Sequence, residues 1–282
     1  MLTIAYLGPE HTNTHVAAQK RFGKRCKYLH APTVDDVFHL VERQKAHFGV
    51  VPIENSLEGA VTHTLDRFID FLDTPVKIHG EIELPIQHAL ILHKGIQPSS
   101  IEMIYSHSQA FGQCREWLEK NLPHHPMRYE TLSTASAIEY LLDADRGVQG
   151  IPLRHRAAIG RGELVRGKGL HVVPIPRDQN NKTRFLIIGL REPAKGRRHK
   201  TSILFGVKDK PGALHDALVA LKNNRINMTK IESRPSKRKA WEYLFFIDVE
   251  GHESEPRVKR ALTALGRSTS LLRVLGSYPV AR

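Results

Sequence analysis

The first 190 residues repeat one local pattern, and this pattern constrains the fold more than any other feature of the sequence. A run of β-branched apolar residues ends in a short polar loop, and apolar residues at helical spacing follow. Such repeats begin at Thr3, Phe48, Ile101 and Met127. Regular alternation of strands and helices predicts an α/β fold with a largely parallel sheet.

The loops after these strands carry hydroxyl and amide side chains. They are Thr12, Asn13 and Thr14; Asn55 and Ser56; Ser106 and Ser108; and Ser133, Thr134 and Ser136. Residues of these types cap helix N-termini, so any one loop alone indicates capping. Helix N-termini at the carboxyl ends of strands also attract anions, and the loops together predict a small-anion site. Thr183 and Arg184 lie at the start of a further strand. They either bind the same ligand or form an ordinary turn.

The positive charge of the chain is concentrated near its C-terminus. The formal net charge of the 282 residues is +13, yet residues 1–190 carry 22 basic and 20 acidic residues. Residues 191–282 carry 20 basic and 9 acidic ones. This shift predicts two domains joined by a basic linker at 191–200. Since no nucleic-acid-binding motif accompanies the charge, we expect a solvated surface and no nucleic-acid partner.

Several classes of protein are disfavoured by what the sequence lacks. Cys26 and Cys114 are the only cysteines, which argues against a disulfide framework and favours a reducing cytoplasm. No apolar run approaches the ~20 residues that span a bilayer. The sequence contains no His-Glu-x-x-His, Cys-x-x-Cys or Gly-x-Ser-x-Gly string, and no Gly-x-Gly-x-x-Gly after the first strand. We therefore expect no metal ion, no dinucleotide of the kind that this glycine motif binds and no serine hydrolase of the nucleophile-elbow type.

The C-terminal region has a different pattern. We predict strands at 201–207, 226–234, 241–249 and 270–276, with helices at 211–223 and 256–265. The order βαββαβ is typical of a ferredoxin-like unit. The free edges of such a sheet suit pairing with another copy of the chain. We therefore interpret this region as a binding or assembly module.

Several strings of residues match one family in order along nearly the whole chain. They are Tyr6-Leu7-Gly8-Pro9-Glu10-His11-Thr12, Val51-Pro52-Ile53-Glu54-Asn55-Ser56-Leu57-Glu58-Gly59, Leu84-Pro85-Ile86, Ser106-His107-Ser108-Gln109-Ala110, Gln113-Cys114, Ser133-Thr134, Thr183-Arg184-Phe185, Gly212-Ala213-Leu214-His215 and Lys230-Ile231-Glu232-Ser233-Arg234-Pro235. The chain resembles the prephenate dehydratases that carry a regulatory ACT domain. Because no chorismate mutase segment precedes Met1, we expect the monofunctional form.

The resemblance implies a two-lobed catalytic region, similar to periplasmic binding proteins, over residues 1–190. Lobe one would take about 1–80 and 175–190, and lobe two about 81–174; the ACT domain would be 201–282. The implied reaction is the cofactor-free conversion of prephenate to phenylpyruvate, water and carbon dioxide. Two alternatives stay open: arogenate as the substrate, and a non-catalytic small-anion binding protein of the same fold.

The resemblance also assigns roles to individual residues. Thr183 would be the catalytic hydrogen-bond donor to the leaving oxygen, and Glu54 could supply the proton. The implied substrate-binding residues are Thr12, Asn55, Ser56, Ser106, Gln113, Ser133, Thr134 and Arg184. Those implied for the effector phenylalanine are Gly212, Ala213, Leu214, Asn227, Glu232, Ser233, Arg234 and Pro235. A homodimer or homotetramer is implied as well, although the second region could be a purely structural dimerisation sheet.

One departure from the family pattern has a structural consequence. His11 stands where relatives often have glycine. If the backbone there needs a positive φ, histidine is costly at this position.

Overall fold

A computed structural model describes residues 1–70, 74–122, 124–148, 150–165, 169–176, 179–191, 193 and 198–281. Within these ranges the strands form three sheets, one in each lobe of an α/β region and one in a C-terminal βαββαβ unit. The predicted linker at 191–200 falls partly outside the described residues, which omit 192 and 194–197. The predicted fold class, α/β with a ferredoxin-like second unit, is confirmed.

The first sheet is built mainly from the N-terminal third of the chain. Its elements there are β1 (Thr3–Leu7), α1 (Asn13–Phe22), β2 (Lys27–Ala31), α2 (Val34–Glu42), β3 (Phe48–Asn55), β4 (Gly59–Ala60), α3 (Thr62–Asp70) and β5 (Lys77–Pro85). Strands β2, β1 and β3 are parallel to one another, as the alternation predicts. Strand β5 carries this sheet to Pro85, a few residues past the lobe boundary that we expected near residue 80.

The second sheet uses the middle of the chain. Its elements are β6 (Ala89–His93), β7 (Met103–Ser106), α4 (Ser108–Gln113), α5 (Arg115–Asn121), β8 (Met127–Glu130), α6 (Thr134–Leu142), β9 (Arg156–Gly160) and β10 (Leu170–Pro174). The strand order is β10-β6-β9-β7-β8. The chain then returns to the first sheet as β11 (Lys182–Gly189), which lies between β3 and β5 and is antiparallel to both. The two lobes are therefore joined by two chain crossings, after β5 and after β10.

The third sheet belongs to the C-terminal unit. Its elements are β12 (His199–Gly206), α7 (Ala213–Asn223), β13 (Met228–Pro235), β14 (Tyr243–Glu250), α8 (Pro256–Ser268) and β15 (Leu271–Pro279). The order of elements is the predicted one, with ends shifted by up to three residues. The strand order β13-β14-β12-β15 leaves β13 at an edge.

The two faces of the first sheet bury different partners. Phe185 and Ile187 on β11 pack with Tyr6 and with α1. Their neighbours Leu186 and Ile188 point the other way, into a core shared with α2, α3 and the third sheet. That shared core includes Leu204, Phe246, Leu275 and Tyr278 of the C-terminal unit. Successive residues of a strand alternate between faces, so each residue of β11 faces either α1 or the third sheet.

No helix in the described part of the chain combines the length and the apolar character needed to cross a membrane.

Candidate active site

Thr183 and Asn55 lie side by side where β11 and β3 pair at one end of the first sheet. Asn55 Nδ2 donates to Thr183 Oγ1 at 3.1 Å. Asn55 Oδ1 accepts the backbone N–H groups of Leu57 at 2.9 Å and Glu58 at 3.1 Å. Two N–H donors on one atom identify it as the carboxamide oxygen and fix the side chain's orientation. The oxygen of Thr183 therefore accepts a hydrogen bond, and its own proton is left for another acceptor.

A chain of amide groups extends from Asn55 into the second lobe. Asn55 Nδ2 also donates to Asn181 Oδ1 at 2.9 Å, and Asn181 Nδ2 donates to Gln113 Oε1 at 2.8 Å. His88 Nε2 lies 2.8 Å from the same Gln113 oxygen. Since that oxygen is an acceptor, Nε2 must be the protonated nitrogen of His88. The network joins the end of β11 to α4 and to the loop before β6, and so crosses between the lobes.

His88 and Arg161 line a cavity of about 540 Å³ beside this network, with Leu84, Pro85, Gln87, Ala89, Gly162, Glu163, Val172 and Pro174. Arg161 reaches across to lobe one, where its Nη1 donates to Asn13 Oδ1 at 3.1 Å. Within the described residues, Arg161 Nε and His88 Nδ1 are buried without a hydrogen-bond partner. A buried donor and a buried acceptor without partners suit a polar ligand, because an unpaired buried polar group is unfavourable.

Burial lowers the pKa of His88 below its ordinary value of 6.5, against the opposing hydrogen bond to Gln113. His88 is therefore neutral at neutral pH, and its Nδ1 is a hydrogen-bond acceptor.

Ser56 supports this end of the sheet. Its hydroxyl donates to the backbone carbonyl of Asn180 and accepts the N–H of Lys182 at 2.9 Å. Its own N–H donates to the Lys182 carbonyl at 2.9 Å. Ser56 thus ties the loop after β3 to the start of β11, and its predicted role in substrate binding stays a prediction.

Three of the other four predicted hydroxyl residues use their hydroxyl groups in helix capping or in contacts with a neighbouring strand. Thr12 caps α1 and also donates to the carbonyl of Pro9 at 3.0 Å. Ser133 caps α6 in a reciprocal capping box with Ser136, and Thr134 is the first residue of that helix. Ser106 is fully buried and donates to the Ile159 carbonyl at 2.9 Å. The hydroxyls of Thr12, Ser106 and Ser133 stabilise helix starts and a strand end, and a direct role of these residues or of Thr134 on a ligand stays a prediction.

Two predicted site residues lie on the opposite face of the sheet from Thr183. Arg184 forms salt bridges with Glu54 at 2.7 Å, Glu81 at 2.9 Å and Asp248 of β14 at 2.7 Å. Glu54 also pairs with Lys230 of β13. Burial alone would lower the pKa of Arg184, but the nearby carboxylates raise it overall. Arg184 turns towards the third sheet by strand alternation, and Glu54 does so at a shift of the β3–β11 register, where it shares a face with Ile53. These contacts do not support catalysis by Glu54 or substrate binding by Arg184, and both roles stay predictions.

The residues predicted for phenylalanine lie in two places within one chain. Gly212, Ala213 and Leu214 line a cavity of about 560 Å³ at the start of α7. Gly212 has φ +77°, a conformation that glycine adopts without strain. The others lie on or just before β13: Asn227, Glu232, Ser233, Arg234 and Pro235. Among them, the Arg234 guanidinium is engaged by both oxygens of Asp66 in α3, at 2.9 and 3.1 Å.

Sequence reasoning missed Asn181, His88 and Arg161 as parts of this site. Asn181 lies in the polar segment before Thr183, and His88 follows the matched Leu84-Pro85-Ile86 string by two residues. The sequence positions of Asn181 and His88, close to matched strings, could therefore have indicated a role in the site. No local sequence pattern indicated a role for Arg161, because Arg161 and Asn13 come together only when the chain folds.

In the described ranges, no group of histidine, cysteine, aspartate or glutamate side chains is arranged to hold a metal ion.

The chain matches two family models and several known proteins along most of its length. The family model described as prephenate dehydratase matches residues 4–193, and the ACT domain model matches residues 201–267. The chain is 46% identical over 283 residues to the bifunctional chorismate mutase/prephenate dehydratase of Aquifex aeolicus, covering 99% of this chain and 74% of that protein. It is 37% identical over 254 residues to the prephenate dehydratase of Methanocaldococcus jannaschii, covering 88% of this chain and 86% of that one.

Among solved structures, the prephenate dehydratase of Arthrobacter aurescens in complex with L-Phe superimposes with a TM-score of 0.87 at 32% identity. The alignment covers 100% of this chain and 90% of that one.

Proposed function

The chain belongs to the prephenate dehydratase family, and we propose that it converts prephenate to phenylpyruvate, water and carbon dioxide in phenylalanine biosynthesis. In this reaction the bond from the ring to its carboxylate breaks and its electron pair enters the ring. The ring's bond to the hydroxyl oxygen breaks, and that oxygen leaves as water after taking up a proton. Formation of the aromatic ring drives the reaction, so the protein needs only to hold the substrate and assist the departing oxygen.

The direction of the hydrogen bond at Thr183 supports this function most. Asn55 donates to Thr183 Oγ1, so the Thr183 proton is available to the substrate's leaving hydroxyl. A donor aimed at the atom where negative charge develops stabilises the transition state more than the bound substrate. In our proposal Thr183 is this donor, Asn55 orients it, and the amides of Asn181 and Gln113 hold Asn55.

Arg161 is the cation that we propose for a substrate carboxylate. It lines the cavity between the lobes, and its buried Nε lacks a partner among the described residues. A guanidinium matches the planar geometry of a carboxylate. The starts of α1 and α6, capped by Thr12 and Ser133, are further sites where negative charge is stabilised. Prephenate carries two carboxylates, which fits more than one such position.

We further propose that residues 1–190 form the catalytic region and 201–282 a regulatory domain for phenylalanine. The A. aurescens relative was solved with L-Phe, and the ACT model matches residues 201–267. The helix start at Gly212 and the edge strand β13 would meet across the interface of two copies. This supports a homodimer or homotetramer, since an unpaired edge strand suits pairing with a second chain. Cysteines that form no disulfide, Cys26 and Cys114, favour the cytoplasm.

One assay tests the reaction and its alternatives together. Purified protein is incubated with prephenate or arogenate, and phenylpyruvate or phenylalanine is followed, with and without added phenylalanine. We expect phenylpyruvate from prephenate, and a changed rate when phenylalanine is present. Turnover of arogenate alone would assign the other substrate. Calorimetric binding of prephenate without turnover would instead indicate a non-catalytic anion-binding protein.

A further inference from the structure

Six charged side chains meet between the first and third sheets. We call them the intersheet charge cluster: Glu54, Glu81, Arg184, Lys200, Lys230 and Asp248. Arg184 contacts three carboxylates, Lys200 Nζ lies 2.9 Å from Glu81, and Lys230 pairs with Glu54. Three positive and three negative charges balance, and Glu81, Arg184 and Asp248 are buried. Buried charges that are paired in this way hold their partners in one geometry.

The cluster lies directly behind the proposed catalytic residues. Glu54 precedes Asn55 on β3, and Arg184 follows Thr183 on β11. The two pairs face each other in the ladder, Thr183 opposite Asn55 and Arg184 opposite Glu54. Side chains on one face of this strand end therefore form the proposed site, while their immediate neighbours on the other face form salt bridges to the third sheet.

Regular pairing is interrupted at this point of the ladder. Between Arg184 and Phe185 the register shifts, since Arg184 faces Glu54 whereas Phe185 faces Pro52. A bulge of this kind leaves one residue unpaired and disrupts the local ladder. The last two β3–β11 pairs, which include Asn55 and Thr183, are thus offset from the rest of that ladder, whereas β11 stays in register with β5 from Lys182 to Ile187. Side-chain contacts therefore contribute more to holding the end of β3 against β11.

We propose that Lys230 and Asp248 of the third sheet are positioning residues for Thr183 and Asn55, acting through Glu54 and Arg184. Lys230 anchors the Glu54 side of the strand end, and Asp248 anchors the Arg184 side. Ser202 holds Asp248 in turn, since its hydroxyl donates to Asp248 Oδ1 at 2.5 Å. The C-terminal unit therefore sets the distance between Asn55 and Thr183 without touching the substrate.

The same contacts give the C-terminal unit a route to the site. Lys230 lies on β13, between Asn227 and Glu232, so any ligand that moves this edge strand also moves the partner of Glu54. Coupling between two sites is reciprocal, so substrate binding would also change the affinity for that ligand. This part of the inference rests on the proposed function, whereas the positioning of the strand end does not.

Two lysines of the C-terminal unit provide a matched test. Lys237 also crosses to the first lobe, where it pairs with Asp66 at 3.3 Å and Asp70 at 3.1 Å of α3. We expect Lys230→Met to lower kcat about tenfold with little change in KM, because a small displacement of a catalytic group has a large effect on rate. Lys237→Met should keep the wild-type kcat. Lys230→Arg, which retains the charge, should recover most of the loss.

A double-mutant cycle separates positioning from direct catalysis by Glu54. Because Glu54 also contacts Arg184, Glu54→Gln should lower kcat at least as much as Lys230→Met, and the double variant should be no worse than Glu54→Gln alone. Independent losses that multiply in the double variant would contradict the inference.

Amide hydrogen exchange gives a readout that does not depend on activity. In Lys230→Met, exchange should become about tenfold faster at the amides that join Ser56 to Lys182, as expected when local opening becomes easier. It should stay at the wild-type rate in Lys237→Met. Equal exchange and equal kcat in the two variants would overturn the inference. An inactive wild type would contradict the proposed function, and the exchange comparison would still decide the inference. Should Lys230→Met not fold, Asp248→Asn is compared in its place.

Discussion

Asn55 Nδ2 donates to Thr183 Oγ1 across the ends of two antiparallel strands, at 3.1 Å. The orientation of the Asn55 carboxamide is set by two backbone N–H groups on its oxygen. The oxygen of Thr183 therefore accepts from Asn55, and its proton is kept for another acceptor. The hydrogen bond from Asn55 therefore makes the Thr183 hydroxyl a hydrogen-bond donor for the substrate, without any change in its acidity.

Substitution of Asn55 by aspartate tests that orientation. In Asn55→Asp a carboxylate oxygen still accepts the two backbone N–H groups, but the other oxygen now accepts a hydrogen bond from the Thr183 hydroxyl. Thr183 would then donate to residue 55 and not to the substrate, and we expect kcat to fall about 10²–10³-fold. Steady-state kinetics check this, with Asn121→Asp on α5 as the control for adding a negative charge. Activity within threefold of wild type would be incompatible with the proposed role of Asn55.

His88 should make stability depend on pH. Its pKa is lowered by burial, whereas in the unfolded chain it returns to about 6.5. As pH falls below that value the unfolded state binds the proton first, so the free energy of unfolding decreases. In His88→Gln the decrease in the free energy of unfolding at acid pH should be smaller, since glutamine does not titrate. The glutamine side chain can still donate to Gln113. Urea unfolding between about pH 5 and 8 measures the difference.

The wild type, measured over the same pH range, is the reference for that experiment. An unchanged pH dependence in His88→Gln would contradict the lowered pKa of His88.

His11 has φ +67°, so the strain expected from its sequence position is present. A non-glycine residue in this conformation costs about 1 kcal/mol or more. We expect His11→Gly to raise the free energy of unfolding by about 1 kcal/mol, while the backbone N–H still donates to His15 Nδ1. His11→Ala retains the β-carbon and should give no such gain. Chemical denaturation of the three proteins provides the comparison, and equal stability of the glycine and alanine variants would exclude backbone strain.

The sequence was sufficient to predict the α/β alternation and the βαββαβ order, because both follow from local apolar periodicity. It also placed Asn55 and Thr183 in one site through the family motifs. The direction of Arg184, opposite to that of Thr183, could have been predicted as well, because neighbours in a strand point to opposite faces. The direction of Glu54 could not, because the register shift places it on the same face as its neighbour Ile53.

What occupies that opposite face could not be predicted. Glu54 and Lys230 are separated by 176 residues, and Arg184 and Asp248 by 64. No local pattern indicates that the third sheet packs against this face of the first. The contact of Arg161 with Asn13, 148 residues away, is hidden for the same reason.

The hydroxyl of Thr183 is the centre of this account, and its removal is the most direct test. Thr183→Val keeps the shape of the side chain but cannot donate, whereas Thr183→Ser keeps the donor. The measurement is kcat for phenylpyruvate formation from prephenate by the wild type and both variants. We predict a loss of about 10²–10³-fold for Thr183→Val, with KM nearly unchanged, and a much smaller loss for Thr183→Ser. A valine variant that turns over prephenate at the wild-type rate would contradict the account.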